Sequence, residues 1–77
     1  MTIYVRFFAS LREQMGIGEA ELNFQPALTV KDVWNLSTQQ RSLPANVLVA
    51  VNQEYVSFNE PVQDDDEVAF FPPVTGG

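Results

Sequence analysis

Apolar and polar residues alternate through the first eight positions. Ile3, Val5 and Phe7 fall on one face of an extended segment and Tyr4, Arg6 and Phe8 on the other, which predicts an opening strand. A short helical turn is expected next, with Ser10 as its N-cap, residues 11–15 inside it, and Gly16 and Gly18 closing it. Ala20, Leu22 and Phe24 then alternate with Glu21, Asn23 and Gln25, so a second strand is expected, hairpin-linked to the first. At Thr29 the period changes. Its hydroxyl can cap a helix, Asp32 stands three residues on as a shortened capping-box acid, and Leu28 and Val33 occupy the two positions of a hydrophobic staple. Val30, Val33 and Trp34 form an apolar stripe at helical spacing, with Lys31, Asp32 and Asn35 away from it. The helix is expected to fade near Gln39 or Gln40, and residues 41–46, around Pro44, to form a loop.

Alternation returns at residues 47–51, where Val47, Val49 and Val51 share one face and Leu48 and Ala50 the other. Asn52, Gln53 and Glu54 make a turn into a short extended piece at Tyr55 and Val56. Asn59, Glu60 and Pro61, then Asp64, Asp65 and Asp66, punctuate a loop. Residues 67–71 form the last strand, with Val68 and Phe70 opposed to Ala69 and Phe71. Pro72 and Pro73 end it, since neither can donate to a ladder. The order strand, strand, helix, strand, short strand, strand predicts an α+β fold: a mixed sheet with one main helix packed on one face, the β-grasp arrangement of ubiquitin. One domain at residues 1–71 and a tail at residues 72–77 follow from it.

Composition narrows the function. The 77 residues suffice for one modest core, and a 45% hydrophobic content with six Phe, one Trp and two Tyr is that of a folded chain. There is no cysteine, so disulfides, thiolate metal sites and a thiol nucleophile are excluded, and no histidine to act as base or metal ligand. Ten acidic against four basic residues give a net charge of −6, which opposes nucleic-acid binding and suits partners with electropositive docking surfaces. Neither a signal peptide nor an apolar run long enough to span a bilayer is visible, so a soluble cytoplasmic protein without membrane contact is expected. The serines and threonines lack a histidine to activate them, and the one lysine, Lys31, is expected on a solvated helix face. The acid run at residues 64–67 could suggest a calcium loop, but its spacing does not fit an EF-hand. A solvated turn that discourages edge pairing is expected there.

Chemistry therefore points to the end of the chain. Strand alternation turns Phe71 away from the core, where a bulky apolar group calls for a partner. Pro72 and Pro73 favour a stiff spacer, and the residues from Pro72 to Gly77 can reach about 20 Å. Gly76 and Gly77 carry no Cβ, so such an end can thread a narrow channel and leave a carboxylate open to another protein's active site. ATP can activate a carboxylate as an acyl-adenylate; attack by a sulfur donor then gives a thiocarboxylate, and attack by an amine gives an amide.

Ala50-Val51-Asn52-Gln53, Val56-Ser57-Phe58, Pro61 and the unbroken ending from Asp66 to Gly77 resemble the ubiquitin-like sulfur carrier family that supplies the small subunit of molybdopterin synthase. Val5-Arg6-Phe7-Phe8-Ala9 and Leu11-Arg12-Glu13 are similar to it too, and the resemblance spans the whole chain but is weak over residues 35–46. A bare Gly-Gly end is common; the full ending is far more specific. One departure is Asp64-Asp65-Asp66 where the family often has Asp-Gly-Asp. The resemblance implies that an E1-like adenylyltransferase activates Gly77 with ATP and that a sulfurtransferase supplies sulfur from a donor. The resulting 1-thioglycine then donates sulfur to a pyranopterin precursor in the large synthase subunit. On this reading the chain holds no cofactor or metal and is not itself an enzyme, the catalytic residues lying on the large subunit of a heterotetramer with two large subunits. Phe8, Tyr55, Phe71, Pro72, Pro73, Val74 and Thr75 are the expected partner-binding residues beside Gly76. The alternatives are a sulfur carrier for thiazole synthesis, a ubiquitin-like protein modifier, or an interaction module with an inert tail.

Overall fold

The computed structural model describes residues 1–42 and 46–73. Among these residues, five strands and two helices follow in the order β1 (Thr2–Phe7), α1 (Ala9–Met15), β2 (Glu19–Asn23), α2 (Val30–Ser37), β3 (Leu48–Val51), β4 (Glu54–Tyr55) and β5 (Glu67–Phe71). They form one mixed sheet in the order β2-β1-β5-β3-β4. β1 and β5 are parallel and every other pairing is antiparallel. This is the ubiquitin-like β-grasp fold, with the last strand at the sheet centre.

The alternation read from the chain is the alternation of the sheet. Ile3, Val5 and Phe7 of β1, Val49 of β3, and Val68 and Phe70 of β5 are buried on one face. Val30, Val33 and Trp34 close over that face from α2. The Trp34 ring meets Phe70 edge-on at 5.0 Å and Phe7 edge-on at 6.1 Å, and its indole N–H donates to the Arg41 carbonyl at 2.8 Å. A buried indole thus gains an apolar surround and a partner for its one donor. Thr29 and Asp32 form the expected capping box: the Asp32 amide donates to the Thr29 hydroxyl, and the Asp32 carboxylate accepts from the Thr29 amide at 3.0 Å. Leu28 and Val33, the staple pair, both enter the core.

Several expectations need correction. Ser10 does not cap α1. Phe8 holds the N-cap position because its amide still donates to the Phe70 carbonyl at 3.1 Å, which keeps it in extended conformation, and Ala9 already starts the helix. Gly16 closes α1 at φ 75°, whereas Gly18 belongs to the next segment and accepts from the Phe7 amide. The main helix has company, since Leu11 of α1 is buried in the same core. α2 stops at Ser37, and Gln39 and Gln40 both take positive φ beyond it. β3 starts at Leu48, one residue later than expected, although Val47 is buried. The loop expected at residues 41–46 includes residues 43–45, which lie outside the described residues.

The acid run is the largest correction. Asp66 is not a solvated turn residue; it is buried and bonded on both oxygens. Oδ1 accepts from the Asn52 side-chain amide at 2.8 Å, and Oδ2 accepts from the Gln63 amide at 2.7 Å. Asn52 in turn accepts from the Glu67 amide at 3.0 Å. The pair ties the two-residue β3–β4 turn, in which Asn52 and Gln53 both have positive φ, to the entry of β5. Asp65 sits at φ 69°, the left-handed conformation that glycine takes without cost and that Asp tolerates better than most residues.

Asn52→Gly isolates this tie, because glycine accepts φ 50° readily and only the side-chain bonds are lost. Urea denaturation should show a loss of about 1–3 kcal/mol, the cost of leaving a buried acceptor unpaired. Unchanged stability would mean that Asp66 finds another donor.

Candidate functional site

β5 lies between β1 and β3, and its last residue, Phe71, faces away from α2. Leu48 stands opposite Phe71 in register, and Phe8 continues β1 in extended conformation on the other side. Ala50 of β3 pairs with Tyr55 of β4 on the same outward face, and the Tyr55 ring lies 5.7 Å from the Phe71 ring. Ala50 is buried although it lies outside the core cluster, covered from the outer side of the sheet. Leu48 and Phe8 are 38% and 44% exposed and Tyr55 is 71% exposed, so an apolar strip crosses four strands at the end from which the chain leaves β5. Isolated exposed apolar residues are ordinary; a run of them around one exit point is what a docking surface looks like.

Of the expected partner-binding residues, the structure brings Phe8, Tyr55 and Phe71 to this one face. Pro72 is half-buried and Pro73 exposed just beyond β5. Val74, Thr75, Gly76 and Gly77 lie outside the described residues. Phe71 itself is half-buried rather than free, because Tyr55 from a strand not adjacent to β5 leans over it. Which ring leans over which depends on the β3–β4 turn, and no local pattern signals that.

Beyond Tyr4 and Ala69, the rest of the outward face over β1, β2 and β5 is polar or charged. Arg6 and Glu67 form an ion pair at 3.5 Å with both side chains more than a third exposed, a contact that contributes little to stability. Glu19 and Glu21 of β2 are exposed beside them. Among the described residues no three His, Cys, Asp or Glu side chains gather to hold a metal. Both oxygens of Asp66 are already used by protein donors. No described helix is long and apolar enough to cross a membrane. Among the described residues the arrangement offers an apolar surface beside the end of β5 and no nucleophile–base pair.

The ThiS family model matches residues 5–77 of this chain. The molybdopterin synthase sulfur carrier subunit of Escherichia coli (strain K12) is 44% identical over 84 aligned residues, covering 97% of this chain and 99% of its own length. The corresponding subunit of Haemophilus influenzae is 39% identical, covering 95% of this chain and 96% of its own. Among solved structures, SAMP1 from Haloferax volcanii superposes with a TM-score of 0.84 at 25% identity over the full length of both chains.

Two neighbouring aromatics in β5 should respond unequally to truncation. Phe70→Ala empties the centre of the core and should cost about 3–5 kcal/mol in chemical denaturation. Phe71→Ala removes a half-covered ring on the other face and should cost about 1–2 kcal/mol. Equal losses would place Phe71 in the core and invert the assignment of the two faces.

Proposed function

Because the chain belongs to the ThiS family and is a sulfur carrier subunit of the molybdopterin synthase type, we propose that it works through the carboxylate of Gly77. An E1-like adenylyltransferase transfers the AMP moiety of ATP to that carboxylate, and pyrophosphate leaves. Persulfide sulfur held by a sulfurtransferase attacks the acyl carbon, AMP leaves, and a thiol of the activating enzymes then reduces the acyl disulfide, freeing Gly77 as a 1-thioglycine. The loaded tail then enters the large subunit of the synthase, whose residues direct the sulfur onto a pyranopterin precursor. Gly76 keeps the approach narrow. Pro72, Pro73, Val74 and Thr75 span the distance between the body and that active site. The product needs two sulfurs, in keeping with a heterotetramer of two small and two large subunits. ATP and the sulfur donor are used by the activating enzymes, and this chain contributes no catalytic group and no cofactor site of its own.

The observation that carries the reading is the position of β5. A central strand ends at Phe71 and releases the chain beside Phe8, Leu48 and Tyr55, so one partner can hold the tail and grip the apolar strip together. With neither histidine nor cysteine in the chain, sulfur has no side chain to ride on and transfer has no imidazole base. Naming of the relatives at 44% and 39% identity as molybdopterin synthase subunits favours the pterin over a thiazole as acceptor.

Intact mass after incubation with ATP, a sulfur donor and the activating enzyme should show one oxygen replaced by sulfur, located in the C-terminal peptide. Gly76→Val should fold normally and lose most of that loading or of the subsequent transfer. Sulfur found elsewhere, or normal turnover with Gly76→Val, would contradict the proposal. Phe71→Ala should weaken binding to the large subunit or the activating enzyme by about 2 kcal/mol or more in calorimetry, as a buried aromatic anchor does. Unchanged affinity would remove the apolar strip from the interface.

A further inference from the structure

The opposite margin of the sheet carries a second surface. Among the described residues β2 pairs with β1 alone, so its other side is an open edge. The ladder defines which groups face outward. The Phe7 amide donates to the Gly18 carbonyl and the Phe24 amide to the Met1 carbonyl, each at 3.0 Å. In an antiparallel ladder this alternation turns Ala20 and Leu22 toward β1, and leaves the N–H and C=O groups of Glu19, Glu21 and Asn23 turned to the open side. A row of unpaired backbone groups is a template for an added strand.

The side chains along this edge select its occupant. Glu19, Glu21 and Asn23 are exposed on the outward face, while Ala20, Leu22 and Phe24 are half-buried at the rim of the core. Glu21 stands opposite Tyr4, which has no positive charge to offer, and Arg6, opposite Glu19, is already paired with Glu67. A groove of about 450 Å³ beside this edge, over β1 and β2 and reaching Glu67 at the start of β5, is lined by Val5 and Ala20 together with Tyr4, Arg6, Glu19, Glu21 and Glu67, three acids against one base. A second copy of this chain fits poorly, since two β2 strands paired antiparallel about Glu21 would set Glu21 against Glu21, in molecules that each carry a net charge of −6.

We propose that the β2 edge takes an extended basic segment of a partner protein as a sixth strand, with Lys or Arg at alternate positions over Glu19 and Glu21 and apolar residues between them. The backbone groups of Glu19, Glu21 and Asn23 hold the segment, and the two carboxylates fix its register and sign. The β2 edge is separated from β5 by β1 and makes no use of the tail, so the site stands or falls independently of the chemistry at Gly77.

The probe is the peptide acetyl-Lys-Val-Lys-Val-Lys-Val-amide, titrated into the full chain and followed by amide NMR. At saturation, shift changes should centre on residues 19–23, and hydrogen exchange at the Glu19, Glu21 and Asn23 amides should slow by about tenfold or more. The same peptide N-methylated on its lysine backbone nitrogens keeps every charge and loses the donors, and it should bind about tenfold more weakly or worse. Glu19→Lys with Glu21→Lys, both on exposed positions, should weaken binding to a similar degree without changing the shifts of the core. Three results would overturn the proposal. They are equal binding after N-methylation (charge attraction alone), no protection of those three amides, or the same protection in concentrated protein without peptide, which would make the occupant a second copy.

Discussion

Parallel pairing of the first strand with the last is the constraint on which the rest of the molecule depends. A parallel pair cannot be closed by a tight turn, so the whole of the intervening chain, including α2, must cross between β1 and β5. That crossing brings Trp34 onto Phe7 and Phe70 and makes the core. It also places β5 at the sheet centre, with a neighbour strand on either side. A tail leaving an edge strand would have half the surface around its exit. Here β1 and β3 both contribute, and Phe8 and Leu48 flank the exit point as a direct result.

Burial on one face frees the other. Phe70 is sealed among Trp34, Phe7 and Phe58, so β5 cannot twist its next residue inward, and Phe71 must present its ring to the outer side. The strand is thus clamped by the aromatic that is buried, and the aromatic that is not is left on the outer face. The Asn52–Asp66 tie acts on the same strand from its other end, holding the β3–β4 turn against the entry to β5 and so setting where Tyr55 lies relative to Phe71. Stability and site geometry share these few contacts in a domain too small to separate them.

Much of this was legible from short-range pattern. Period-2 alternation placed Val68 and Phe70 inward and Phe71 outward, with β5 bounded correctly at Glu67–Phe71, because Pro72 and Pro73 cannot extend a ladder. Thr29 and Asp32 announced α2, since a capping box needs only residues three apart. What failed was decided at long range. Ser10 has the chemistry of an N-cap, but the amide of Phe8 is held by Phe70 across the parallel pair, and the helix starts before Ser10 can serve. Asp66 sits in a run of acids that reads as solvated, and only Asn52, brought near by the β3–β5 pairing, turns it into a buried acceptor. The ends of the proposed site, Gly76 and Gly77, rest on chemistry and family alone, because position 73 is the last one described.

The outward face divides along the sheet, and the division suits a carrier that must be released. Around the β5 exit the contacts available are apolar, short-ranged and insensitive to salt. Over β1 and β2 they are acidic, acting over about a Debye length and weakened as ionic strength rises. Charge of this kind speeds encounter and orients the approach more than it adds affinity. The apolar strip is small and already partly satisfied by the Tyr55–Phe71 contact, so a complex formed on it as proposed would be short-lived. In the proposed cycle the same tail visits an activating enzyme and then a synthase, so each grip must end. An acidic, rapidly steered surface beside a small apolar anchor permits that. A larger apolar face would hold the first partner too long and would expose a small domain to self-association whenever it travelled alone.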